Sequence, residues 1–301
     1  MSATSVKIGK TQVNLSNLEK VLYPEVGFTK GQVIEYYLKM SSAIVPQVKN
    51  RPLTLKRYPN GVDGMMFYEK RCPPHAPPWI KQVTVTSQRE GGKLSYCVID
   101  SPSSLVWVAN LASLELHTLL FTGQKLYRPT WMVFDFDPGP PAGVLECIPI
   151  AIKVRDTLQK LGLTSFIKTS GGKGLHMVVP LNTTVTFDQT KGFSNAIARM
   201  MERDDPDRVT SNMKKDLRKG KIFIDWSQND EHKTTVAVYS LRARNEPTVS
   251  TPVEWEELTM AVKKKDANRL KFLAADVIKR VDKIGDLFEP VLKMKQKLPA
   301  M

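Results

Sequence analysis

The 301-residue sequence predicts a mixed α/β (α+β) fold, with mixed or antiparallel sheets flanked by helices. Three observations predict it. Short runs rich in Val, Ile, Phe and Trp, over residues 131–136 and 222–224, end in acids and turn residues, as buried strands do. Stretches of helical period, over residues 144–161 and 187–202, alternate with these runs. The composition, 42% hydrophobic and 25% charged, is that of a globular domain with a substantial core. It also excludes some classes. No apolar run reaches the ~18 residues of a membrane span, and the polar start Met1-Ser2-Ala3-Thr4-Ser5 has no signal-peptide core, so a cytoplasmic location is expected. Cys72, Cys97 and Cys147 lie far apart without C-x-x-C spacing and are expected to be reduced. Forty-four Lys and Arg against 30 Asp and Glu give a formal charge of +14, which suits a polyanionic partner such as nucleic acid.

Taken in order, Ser16 with Glu19 reads as a capping box opening a short helix that stops before Pro24, and Thr29 with Gln32 opens a longer one. Lys20 and Lys30 then stand near two helix N-termini, where amides and dipole favour an anion; two solvated lysines are the alternative. Residues 53–58 and 65–70 read as a hairpin around Pro59-Asn60-Gly61, with Lys56, Arg57, Phe67 and Tyr68 alternating basic and aromatic chemistry. Strands are expected over 81–86 and 94–99, beyond the Pro-rich connection 72–79. Residues 105–120 show helical period, with His117 near the end.

The chemistry concentrates in the apolar strand that ends Phe134-Asp135-Phe136-Asp137-Pro138-Gly139. Period two puts Asp135 and Asp137 on one face, where two desolvated carboxylates repel unless a cation compensates. Carboxylate-only ligands suit Mg²⁺ or Mn²⁺ with phosphates completing the shell. Phe223-Ile224-Asp225 repeats the pattern and offers a third ligand. Between them, Ser170-Gly171-Gly172-Lys173-Gly174-Leu175-His176 is either a phosphate cradle or a Gly-rich hairpin turn; it is not a Walker A loop, because a strand follows it. A polar, basic run over 211–221 reads as a mobile loop, and residues 233–242 as a returning strand bearing Lys233 and Arg242. Amphipathic helices are expected in the tail, which from Ala261 onward holds 11 Lys and Arg against five Asp and Glu.

In this order the motifs Asp135-Phe136-Asp137-Pro138-Gly139, Ser170 to His176, Ile224-Asp225-Trp226-Ser227-Gln228-Asn229 and Tyr239-Ser240-Leu241-Arg242 closely resemble the polymerase domain of bacterial DNA ligase D, of the archaeo-eukaryotic primase superfamily. Lys20 to Pro24, Lys56 to Asp63 and Leu114-Glu115-Leu116-His117 extend the resemblance over nearly the whole chain. It implies one primase-polymerase domain over residues 1–301: a helical part over 1–50 with a 5′-phosphate pocket, a catalytic core over 51–260 and terminal helices over 261–301. It implies a template-dependent nucleotidyltransferase that fills gaps and extends 3′ ends in non-homologous end joining, with two divalent ions held by Asp135, Asp137 and Asp225. It further implies NTP or dNTP substrates, ribonucleotides preferred, held by Lys56, His117, Ser170, Lys173, His176 and Arg242. Lys20 and Lys30 match the 5′-phosphate pocket, Phe67 and Tyr68 a pair of template-facing aromatics that are usually both Phe, and Arg218 a loop near the active site; Lys233 is a further DNA contact. Ku and a separate ligase as partners, and association with the prokaryotic nucleoid, follow from the family alone. With no ligase or nuclease motif, a stand-alone polymerase is expected, an excised domain being the alternative. A non-catalytic binder of DNA ends and a metal-dependent nuclease are the rival readings. Loss of a carboxylate would signal the first, and the second has no need of the Ser170 turn or Arg242.

Overall fold

The computed structural model describes residues 4–87 and 91–299. The chain divides into two compact units, one of Met1–Leu126, Thr234–Ser250 and Phe272–Asp286, the other of Tyr127–Lys233, Thr251–Lys271 and Leu287–Met301.

The second unit is built on a six-stranded sheet in the order Val209–Thr210, Ile222–Asp225, Trp131–Pro138, Leu175–Pro180, Phe166–Thr169, Pro252–Val253. Neighbours are antiparallel except the first pair, so the sheet is mixed, as expected. Helices Val144–Lys160 and Phe187–Asp204 pack on its central strand and on each other. That strand begins apolar on both faces, with Met132, Phe134 and Phe136 buried on one and Trp131 and Val133 on the other, which explains a continuous hydrophobic run rather than an alternating one. Its neighbour Ile222–Asp225 stops at Asp225, where the chain enters the single 3-10 turn Trp226–Gln228. The ladder nevertheless continues through a side chain. Fully buried Asn229 accepts from the Val133 amide (2.9 Å) and donates to the Val133 carbonyl (2.7 Å), acting as a substitute strand residue. The run over 211–221, read as an open loop, instead contains the 3-10 turn Lys215–Arg218, with Arg218 stacked 3.6 Å over Phe223.

In the first unit a four-stranded sheet runs Thr234–Val236, Ser113–Leu119, Leu53–Arg57, Phe67–Glu69, and the hairpin at 53–70 is as expected, with Lys56 opposite Tyr68. Strands Gln82–Ser87 and Gly92–Cys97 also pair as expected. Four expectations are corrected here. The Ser16/Glu19 pattern opens no helix: strand Thr11–Leu15 runs into a turn with Asn17 in the left-handed region, and the Leu18 and Lys20 carbonyls accept from the Gly31 and Lys30 amides. Residues 105–120 are not one helix. Helix Pro102–Asn110 ends as Ala112 takes a left-handed φ of 56°, and Ser113–Leu119 is a strand; both are so buried that periodicity cannot tell them apart. The strand expected over 233–242 is only Thr234–Val236, because Tyr239 turns at φ 62°. Cys72 and Cys97 form a disulfide rather than two thiols; the Cys72 amide donates to Ser95 on the same strand as Cys97, a proximity invisible across 25 residues of sequence. Cys147 remains a buried thiol. Among the described residues no helix is long and apolar enough to cross a membrane.

The Asn229 substitution for a strand residue is testable. Asn229→Ala strips partners from a buried backbone donor and acceptor, and is expected to lower unfolding free energy by roughly 2–4 kcal/mol in urea titration, and Asn229→Asp, which sets a buried carboxylate oxygen against the Val133 and Trp226 carbonyls, is expected to lose at least as much.

Candidate functional site

The register of the six-stranded sheet places Asp225 opposite Asp135, Asp135 opposite His176 and His176 opposite Lys168, one row across four strands on one face. Lys168 is buried and its Nζ lies 3.1 Å from His176 Nδ1. An ammonium can only donate, so Nδ1 accepts, and the ring proton sits on Nε2, 3.3 Å from Asp135 Oδ1. On the other side Asp225 Oδ1 accepts from the Ser227 amide and hydroxyl, Oδ2 accepts from Gln228 (3.0 Å), and Lys233 donates to the Ser227 hydroxyl. Two positive ends thus brace a row whose middle is two facing acids. Asp137, two residues on, adds a third. Burial and then the Asp135 charge push its carboxyl above the ordinary carboxylate range, with Asp225 adding and Arg218, 3.9 Å away, opposing.

Two glycines let backbone close in on these acids. A Cβ on Gly174 would lie 2.1 Å from the Phe136 carbonyl, and one on Gly139 1.8 Å from the Arg218 carbonyl, so neither position accepts a side chain. The Ser170 hydroxyl accepts from the Gly172 and Gly174 amides, both at 3.2 Å, so its first task is to fold the turn. Lys173 in that turn is close enough to weigh on Asp137. Among the described residues no group of three or more His, Cys, Asp or Glu stands ready to enclose an ion; Asp135 and Asp225 are turned to His176 and to Ser227 and Gln228. Three carboxylates with one carboxyl already strained upward by its neighbours still form the hard, oxygen-only donor set that a divalent cation fits.

In the first unit, Lys56, His117 and Arg242 gather around one carboxylate. Glu115, 2% exposed, lies 3.3 Å from Lys56 Nζ, 2.9 Å from His117 Nε2 and 3.2 Å from Arg242 Nε. Burial alone would raise its carboxyl; the His117 hydrogen bond and the Arg242 and Lys56 charges instead hold it well below the usual range. Burial lowers His117, so Lys56 and Arg242 leave one net positive charge over Glu115. Tyr68 is edge-on to His117, and both Tyr68 and Phe67 are exposed. Lys30 is buried, its ammonium 2.7 Å from the Ser16 carbonyl, while exposed Lys20 reaches Asn60 at 2.8 Å. Burial, then the Lys20 and Arg57 charges, lowers Lys30 to about 8. The first amides of helix Lys30–Lys39 are already capped by the Lys20 and Leu18 carbonyls and by Thr29, so an anion here meets ammonium groups rather than a bare helix terminus.

The family model described as LigD, primase-polymerase domain, matches residues 29–288. The multifunctional non-homologous end joining protein LigD of Mycobacterium bovis is 40% identical over 287 residues, covering 92% of this chain and 37% of the relative. The bifunctional non-homologous end joining protein LigD of Bacillus subtilis is 29% identical over 275 residues, covering 91% and 43%. The chain therefore spans well under half the length of these curated relatives. A solved structure, the polymerase domain from Mycobacterium tuberculosis Ligase D in complex with DNA, aligns with a TM-score of 0.87 at 37% identity, over 94% of this chain and 99% of that one.

Lys168 and Glu115 escaped the reading of the sequence. Lys168 carries a usable signal, an isolated lysine inside an apolar run, whereas Glu115 lay in an apparent helix period that hid its place between Lys56 and Arg242. Glu115→Gln removes the buried carboxylate charge that faces Lys56 and Arg242 and is expected to cost on the order of 3 kcal/mol in denaturant unfolding. Acid acts in the same direction. Both groups are depressed in the fold, so the His117 contribution fades as pH falls below 6.5 and that of Glu115 as pH falls below 4.5 towards its folded value. The Gln variant is expected to lose only the lower limb of the stability profile.

Proposed function

The chain belongs to the LigD primase-polymerase domain family, and on that premise we propose that it is a template-dependent nucleotidyltransferase that fills gaps and extends 3′ ends at broken DNA, with ribonucleotides preferred. The observation that carries the reading is the row Asp225, Asp135, His176, Lys168 with Asp137 beside it. Asp135, Asp137 and Asp225 hold divalent ions, Mg²⁺ or Mn²⁺. When bound, these ions supply acidification of the primer 3′-hydroxyl and charge compensation on the triphosphate. The protein's part is positioning. His176 aims its Nε2 proton at Asp135 and orients that carboxylate, with Lys168 fixing the tautomer. Ser227 and Gln228 orient Asp225, and Lys233 supports Ser227. Lys173 and the Ser170 turn offer charge and amides to phosphate oxygens. Lys56, His117 and Arg242, over-positive around Glu115, take the anionic nucleotide, and Phe67 and Tyr68 stack on template bases. Lys20 and Lys30 read a 5′-phosphate. A repair role is supported by the end-joining names of the relatives; Ku and a separate ligase as partners, in the cytoplasm at the nucleoid, follow from the family resemblance alone.

The test is primer extension on a gapped, 5′-phosphorylated duplex with Mn²⁺ and each nucleotide type. Asp135→Ala and Asp225→Ala are expected to slow addition by about a hundredfold or more while DNA binding survives; extension near the wild-type rate by either variant would remove the metal assignment. The 5′-phosphate role carries its own pH signature. An anion favours protonated Lys30, so the preference for a phosphorylated over an unphosphorylated end is expected to weaken as pH rises through about 8. Lys30→Met is expected to show a smaller preference that is flat in pH; a wild-type preference that does not change between pH 7 and 9 contradicts the pocket.

A further inference from the structure

A second cleft in the same unit as the carboxylate row, about 450 Å³ in volume, lies between helix Phe187–Asp204 and the chain at 211–213. That is the size range of small-ligand pockets, ~300–1,000 Å³. Its walls are unlike the core. The Trp226 indole commits its N–H to the Ser211 carbonyl (3.0 Å), which fixes the ring and leaves its face to the cleft. Met213, 51% exposed, is the other soft, polarisable surface. One turn apart on the helix, Asn195 and Arg199 project to the same side. Asn195 Oδ1 is shielded from solvent and has no hydrogen-bond partner, an unfilled buried acceptor that calls for a donor. Arg199 is exposed and makes no ion pair among the described residues. Glu202 below them is held by the Ser211 and Thr210 hydroxyls and kept ionised, so it too accepts.

An aromatic face, a thioether, one unfilled amide acceptor and one guanidinium at the rim match a single molecular class. The flat partner stacks, an N–H on its edge meets the Asn195 acceptor, and its anionic end meets the arginine. We propose that this cleft holds one unpaired nucleotide of a DNA strand, its base stacked between Trp226 and Met213 and its phosphate on Arg199. The shared chemistry, a nucleobase with a phosphate, is also that of a free nucleoside monophosphate. The strand is favoured because the chain leaving the cleft continues as Lys214, Lys215, Arg218, Lys219 and Lys221, a track for further phosphates. The site also touches the chemistry. Arg218 donates to the Met213 carbonyl (2.6 Å) and stands 3.9 Å from Asp137, so a base packed on Met213 braces the arginine that faces the acids. The inference rests on the nucleic-acid reading above and extends it to a site that the carboxylates do not line.

The experiment uses the full chain and duplexes with a short 3′ overhang carrying 5-iodouracil at one unpaired position, irradiated and mapped by mass spectrometry, beside blunt duplexes and free 5-iodouridine monophosphate. Expected are an adduct on Trp226 or Met213 from the overhang, none from the free nucleotide at equal concentration, and about a tenfold loss of overhang affinity in Arg199→Ala with blunt-duplex affinity unchanged. Arg199→Lys is expected to recover most of that loss. Adducts elsewhere, or equal losses for overhang and blunt DNA, overturn the site; an equal adduct from the free nucleotide overturns the strand as its occupant. Wild type that extends a gapped primer but gives no adduct sinks this inference alone, and wild type that binds no DNA sinks the reading beneath it as well.

Discussion

Facing carboxylates are the constraint from which the rest of the second unit follows. Antiparallel pairing sets Asp135 directly against Asp225, and period two adds Asp137 on the same face. Like charges at that spacing destabilise a sheet unless positive charge is brought to both ends of the row. The fold brings it as Lys168 through His176 on one side and Lys233 through Ser227 on the other. Neither brace neutralises Asp137, whose carboxyl remains pushed upward. Three acids therefore crowd one spot, and Gly139 and Gly174 keep side chains out of the backbone approaches beside it. On the proposed reading, a divalent cation bound there would relieve that repulsion.

The first unit solves the opposite problem with the same economy. There one buried carboxylate gathers Lys56, His117 and Arg242, and burial keeps His117 from adding a third charge. The result is a basic cluster held rigidly by Glu115 rather than three solvated side chains, and a rigid donor set loses less entropy on meeting a phosphate. Lys30 is treated differently. It is paired only with neutral oxygens at Ser16 and lies near Lys20 and Arg57, so its charge is incomplete until an anion arrives.

How much of this was legible depended on the range of the interaction. The acid strand, the helices over 144–160 and 187–204, the Thr29/Gln32 capping box and the hairpin at 53–70 are local patterns, and each stands in the structure. The errors arose where a local pattern was overruled. Ser16 and Glu19 carry the residues of a capping box, yet the seven residues between Ser16 and Pro24 are too few to hold a helix, and the segment serves as the cap of its neighbour instead. Ala112 broke an apparent helix in two because buried strand and buried helix look alike in hydrophobicity. The Asp135, Asp137 and Asp225 face could be read from alternation and repetition, and Ser227 braces Asp225 from only two residues away, but Lys168, and Glu115 at the centre of the basic cluster, depend on cross-strand register, which no single-strand pattern contains.

The central claim is that three carboxylates are held together at a cost that a divalent ion removes. Thermal melting of wild type and Asp137→Asn, each with and without saturating Mn²⁺, tests it most directly. The account predicts that the variant melts above wild type without metal, because a carboxylate repelled by Asp135 and Asp225 has gone, and that Mn²⁺ stabilises wild type by about 2–3 kcal/mol at a hundredfold excess over Kd but the variant by far less. A wild type that Mn²⁺ leaves unchanged, or a variant that is less stable without metal and gains as much with it, would contradict the account.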